Sequence, residues 1–198
     1  MSEGRLEAFS DGVIGILIAI MVLELRPPEG AELADLRPLI PVFLSYVLSF
    51  IYVGIYWNNH HHMFQVVQRV DGRVLWANMH LLFWLSLIPV TTAWIDEAGL
   101  SAWPAALYGV VLLMAAVAWF IMTRALLAIH DADSALARAL GRDAKGKVSL
   151  LIYLAAIVLS FVVPWMAATL YVLAARIGLI PDRRMEKIVT DQAAQEPD

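Results

Sequence analysis

The chain has no cysteine among its 198 residues. That absence excludes disulfides, thiolate metal sites and cysteine nucleophiles together. Charge is also scarce: 16% of residues are Asp, Glu, Lys or Arg, 61% are hydrophobic, and the mean hydropathy is +0.70. A soluble domain carries nearer ~25% charged residues, so this is the composition of a membrane protein. Catalytic signatures are missing too. There is no P-loop, HExxH or GxSxG, and no TVGYG selectivity filter. His60, His61 and His62 are consecutive, so on a helix they diverge by ~100° and cannot chelate one ion, while His80 and His130 stand alone. An enzyme is not expected, and neither is a resident metal, a cofactor or a nucleic-acid partner. The N-terminus lacks the basic start and small-residue cleavage site of a signal peptide, carrying Glu3, Glu7 and Asp11 instead, and is expected to be retained.

What is present is a succession of apolar segments, the first of which contains an acid. From Gly12 to Leu23 every residue is apolar or glycine. Twelve residues make only ~18 Å of helix, and a bilayer core needs ~20 residues. A spanning helix over 6–25 must therefore draw Phe9, Ser10 and Asp11 toward the membrane. Two readings of Asp11 follow. It is an intramembrane ionisable group, which points to function, or it caps a helix that starts at Gly12. Further helices are expected at 39–66, 74–95 and 103–127, then a polar connection from His130 to Lys147. The apolar run Val148 to Ile180 is 33 residues long and interrupted by Pro164, so it divides into helices at 148–163 and 164–180.

The fold class expected is thus an all-α membrane protein, six transmembrane helices within 1–187 and a polar tail at 188–198. Six spans place Arg5, Arg69, Arg73, Arg124, Arg138, Arg142, Lys145, Lys147, Arg176, Arg183, Arg184 and Lys187 on one side, leaving Arg26 and Arg37 on the other. By the positive-inside rule both termini are cytoplasmic. Trp94, Trp103 and Trp165 then fall at outer helix ends, where interfacial aromatics belong. No internal repeat is visible. A polar pathway forms more naturally between such small units than within one, which favours a symmetric oligomer.

Ile16, Ile20 and Leu23 share one face of the first helix, and Asp11 lies roughly 140° around from Ile16. A buried carboxylate needs a partner. His60 or His61, near the same end of the second helix, is expected to pair with Asp11, and Asn78 can join them. The alternative is that these groups face water at the interface.

Arg5-x-x-x-Phe9-Ser10-Asp11 resembles the RxxxFSD signature of the transmembrane protein 175 family of potassium channels, in its short prokaryotic form. The stretches YWNNHHHMF (Tyr56 to Phe64), VDGRVLWAN (Val70 to Asn78), LSLIPVTTAW (Leu85 to Trp94) and the closing VVPWMAATLY to IPDRR are similar to family stretches as well. The resemblance implies a homotetramer in a bacterial inner membrane, surrounded by lipid, with the first helix of each subunit lining a central potassium-permeable pore. It implies apolar constrictions at Ile16, Ile20 and Leu23. Ala19 lines the pore where many relatives carry threonine, so that hydroxyl layer is absent here. It also implies a polar network beneath the pore from Arg5, Phe9, Ser10 and Asp11 with Trp57, His60 or His61, and Asn78. A competing class is a proton-coupled transporter or proton leak in which Asp11 and His60 or His61 relay protons.

Overall fold

A computed structural model of the chain describes residues 2–131, 134–140 and 144–180, and the regular structure within them is helical. The tail expected at 188–198, together with Arg142, Arg183, Arg184 and Lys187, lies outside the described residues.

Helix α1 spans Glu3–Leu23, with Ser2 at its N-cap position. It therefore begins eight residues before Asp11, and the reading of Asp11 as the cap of a helix starting at Gly12 is corrected. The apolar run is too short to span alone, and helix formation extends back through the polar turns; 21 residues give ~31 Å, about one bilayer core. Pro27 and Pro28 follow its end and cannot continue a helical ladder. A 3₁₀ helix, Leu33–Leu39, opens on a capping box between Glu32 and Asp35 and runs directly into α2, Ile40–Phe64.

Asp71 caps α3, Gly72–Ser86, by accepting from the Val74 amide at 2.9 Å. The apolar stretch then breaks at Leu87 and resumes as α4, Ile88–Ala98. Pro89 is the cause, having no amide to give. Nearby hydroxyls occupy carbonyls around the break: Thr91 donates to the Leu87 and Ile88 carbonyls at 3.1 Å each and Thr92 to the Ile88 carbonyl at 2.8 Å. Gly99, with φ 69°, turns the chain out of α4 in a conformation that suits glycine.

Helix α5, Ala102–Ala128, is the centre of the bundle and packs against α3, α4, α7 and α8. Ala105, Ala115 and Ala118 are fully buried on it, small residues that let neighbouring helices approach where lipid supplies no hydrophobic drive. The short α6, Ala135–Leu140, leads to α7, Ala144–Ser160, and α8, Pro164–Leu179. Pro164 opens α8 at its first turn, where a missing amide costs nothing.

Four helices among the described residues are long and apolar enough to cross a membrane: Glu3–Leu23, Leu33–Phe64, Gly72–Ala98 and Ala102–Ala128. Gly146–Ser160 and Pro164–Leu179 are apolar but shorter. Helix α1 packs at the margin of the bundle, against α2, α3 and α4.

Candidate functional site

The two sides of α1 differ completely. Leu6, Ser10, Ile14, Leu17 and Met21, at helical spacing, are buried against the bundle. On the other side Phe9, Ile16, Ile20 and Leu23 are exposed, Ile16 by 61% and Leu23 by 81%. Gly12, Gly15 and Ala19 complete that exposed face. From Gly12 to Leu23 it offers carbon and hydrogen only, with no side-chain donor or acceptor for an ion or a substrate.

Below this face, α1 is tied to α2 and α3 by a ladder of polar contacts. Trp57 Nε1 donates to Asp11 Oδ1 at 3.0 Å, and His61 Nδ1 meets Glu7 Oε1 at 2.8 Å. The Trp57 and His61 rings stack, centroids 5.8 Å apart and 12° from parallel. Gln65 Nε2 reaches His61 Nε2 at 3.0 Å. Deeper in, Ser10 Oγ donates to the Leu6 carbonyl at 2.9 Å while accepting from Asn78 Nδ2 at 2.9 Å. Asn78 Oδ1 faces His60 Nε2 at 2.9 Å. With the amide nitrogen committed to Ser10, the Asn78 oxygen can only accept, so Nε2 of His60 carries the hydrogen. That leaves Nδ1 of His60 as a buried acceptor without a hydrogen-bond partner among the described residues.

The expected pairing of Asp11 with His60 or His61 is therefore corrected: its hydrogen bond comes from Trp57, and both histidines look elsewhere. The reason is register. Helices α1 and α2 run antiparallel, so a step of one turn forward on α1 is a step of one turn back on α2. Glu7 meets His61, and four residues later Asp11 meets Trp57. His60, ~100° around α2 from His61, is turned to α3 instead. Sequence reasoning missed Glu7. Its signal was available, since it stands one turn before Asp11 on the same face. Arg5 is exposed and takes no part in these hydrogen bonds, and Phe9 lies on the exposed face, half exposed, outside the ladder.

No group of three or more His, Cys, Asp or Glu residues able to hold a metal occurs among the described residues.

The family model described as endosomal/lysosomal potassium channel TMEM175 matches residues 5–89, which takes in α1, α2 and the clasp just described. A potassium channel of Chryseobacterium sp. is 51% identical over 187 residues, covering 94% of this chain and 97% of that one. A potassium channel of Streptomyces collinus is 35% identical over 134 residues, 62% of this chain and 65% of the relative. Among solved structures, a lysosomal potassium-selective channel TMEM175 homolog from Chamaesiphon minutus superposes with a TM-score of 0.71 at 29% identity, covering 89% of this chain and 96% of that one. At 51% identity over 94% of this chain, with the bundle shared over 89% of it, the chain belongs to the TMEM175 family.

Proposed function

We propose that this chain is a potassium-permeable channel whose pore is lined by the exposed face of α1 from four copies around a central axis. The observation that carries the reading is that face: an apolar helix side left uncovered along its length in a single chain, opposite a side that is packed and clasped. Family membership supplies the ion, since the bacterial relatives are named potassium channels. The subunit crosses the cell membrane six times, α3 and α4 forming one span and α7 and α8 a closing hairpin, with both termini cytoplasmic. The distribution of Lys and Arg supports that orientation.

Ile16, Ile20 and Leu23 from four copies form successive rings without hydrogen-bonding groups, and Ala19 adds a narrow apolar layer. A cation passing such a ring stays hydrated or sheds water without return, so the ring closes by dewetting when it narrows. Glu7, Ser10 and Asp11 with Trp57, His60, His61 and Asn78 hold α1 in place beneath the rings. The proton-relay alternative has Asp11 and His60 or His61 as its carriers, whereas the hydrogen bond on Asp11 comes from Trp57.

The test is the reversal potential of purified protein in a planar bilayer, with potassium on one side and sodium on the other. A shift toward the potassium equilibrium potential is expected. Currents that reverse near zero would refute potassium preference, and electrical silence would refute the channel.

The clasp makes a separate prediction. Asp11→Ala removes a hydrogen bond to a charged group, worth ~1.5 kcal/mol, from the contact that positions α1. Recovery of assembled oligomer on size-exclusion chromatography should fall, while channels that do assemble keep the wild-type reversal potential. Full recovery with altered selectivity would assign Asp11 to the ion path instead.

A further inference from the structure

Beyond the C-terminal end of α1 the chain folds back beside the start of α2 and shapes a cavity of about 370 Å³. Leu25 and Pro28 line it from the segment after α1, Leu36 and Leu39 from the 3₁₀ helix, and Phe43 from the first turn of α2. The rest of the wall is aliphatic as well, with one exception, Arg26. The cavity opens to the surface: Leu36 is 45% and Phe43 54% exposed, and Arg26 is exposed with them. An apolar wall with a single polar group, at the small end of the usual volume range, is the chemistry of a site for an amphiphile.

Arg26 has no ion pair and no side-chain hydrogen bond among the described residues. The nearby acids are engaged elsewhere. Asp35 accepts from the Glu32 amide at 3.0 Å and Glu32 completes the capping box, while Glu24 acts on Asp96 of α4. Arg37, the other cation of this connection, is exposed and does not line the cavity. Depth narrows the choice of occupant. Helix α1 already extends ~31 Å to Leu23, about one bilayer core, so Arg26 stands at the level of the lipid headgroups. Trp94 and Trp103, 40% and 68% exposed, mark the same face of the bundle, as aromatics at a membrane interface do.

We propose that this cavity binds an anionic phospholipid of the surrounding bilayer, one acyl chain against the apolar wall and the phosphate on the Arg26 guanidinium. The guanidinium fork donates two parallel N–H bonds to phosphate oxygens. An acyl chain meets the wall without leaving a polar group unpaired, whereas a water-soluble anion would satisfy Arg26 and leave the wall unfilled. A zwitterionic lipid offers the same phosphate, but its own ammonium competes for the oxygens and repels Arg26. A second copy of the chain seated here would bury the guanidinium among leucines, which is costly without a partner. The bound lipid bridges the end of α1 to the start of α2, at the end of α1 opposite the clasp. The leaflet that supplies it follows from the orientation proposed above; the binding depends on neither the pore nor the ion.

The experiment exposes full-length protein in detergent to equimolar phosphatidylglycerol and phosphatidylcholine and counts retained lipids by native mass spectrometry, with a thermal melt in each lipid alongside. Wild type should retain phosphatidylglycerol about tenfold over phosphatidylcholine and melt higher with it. Arg26→Gln should bring the two lipids level, while Arg37→Gln, outside the cavity, keeps the wild-type preference. Leu36→Trp, which fills the cavity from a surface position, should lower phosphatidylglycerol retention by a similar factor. Equal retention of both lipids by wild type overturns the proposal. So does an equal loss of preference in Arg26→Gln and Arg37→Gln, which would mean general surface charge, and so does undiminished retention in Leu36→Trp, which would put the acyl chain elsewhere. Wild type that retains no lipid, with Leu36→Trp separating into monomers, overturns it in favour of a second copy on this surface. None of these readouts uses ion flux, so failure of the channel reading is told apart from failure of this one.

Discussion

Ile16→Asn raises potassium flux at least about tenfold, equivalent to a barrier lowered by ~1.4 kcal/mol. Ile16 is 61% exposed on α1 and does not belong to the buried face, so the substitution leaves the packing of the subunit untouched. In the proposed arrangement, what changes is the ring that four copies of residue 16 form around the axis. Four isoleucines give a hydrated cation nothing to exchange its water for, whereas four amides offer carbonyl oxygens and hold water in the constriction. Flux into liposomes loaded with a potassium-sensitive dye measures the effect directly. Unchanged flux would remove Ile16 as the narrowest barrier and shift attention to Ile20 and Leu23.

Gly109→Ala destabilises the subunit, and Tyr171→Phe in the same chain restores part of the loss. Mid-helix, exchanging glycine for alanine ordinarily gains ~1 kcal/mol. Here a Cβ on residue 109 would collide with the Tyr171 hydroxyl and lie 2.8 Å from Ile157 Cγ1 and 2.9 Å from Tyr171 Cζ. That hydroxyl is fixed, donating to the Ala105 carbonyl at 2.9 Å, and Tyr171 is buried. Overpacking of this kind costs ~1–3 kcal/mol. A thermal melt in detergent should show Gly109→Ala below wild type and the double variant above Gly109→Ala. An alanine variant as stable as wild type would mean that α5 and α8 can separate at this point without cost.

The sequence made the all-helical membrane class legible because apolar segment length and charge scarcity are one-dimensional properties. The apolar stripe on α1 was legible for a similar reason, since Ile16, Ile20 and Leu23 share a face by periodicity alone. The partners of the polar residues were another matter. Periodicity gives the direction in which His60, His61 and Trp57 point around α2, but not how far α2 is slid along α1. A displacement of one turn exchanges Trp57 for His61 opposite Asp11, and only the packing of buried residues such as Ile14, Leu17 and Met21 decides it. Pairing an acid with the nearest histidine ignored that displacement.

The clasp also has a mechanical side. Among the described residues the side-chain hydrogen bonds that tie α1 to its neighbours fall between Glu7 and Asp11, while beyond them Val13, Ile14, Leu17, Ile18 and Met21 pack on the bundle through apolar contacts. The helix is a cantilever fixed at one end. Taking Ser10 as the pivot, Ile16 lies ~9 Å along the arm and Leu23 ~20 Å. A tilt of about 5° moves Ile16 by ~0.8 Å and Leu23 by ~1.7 Å, by the same helix geometry. Displacement grows with distance from the anchor, so Ile16 is the stiff position and Leu23 the compliant one, and thermal bending of α1 moves the free end first.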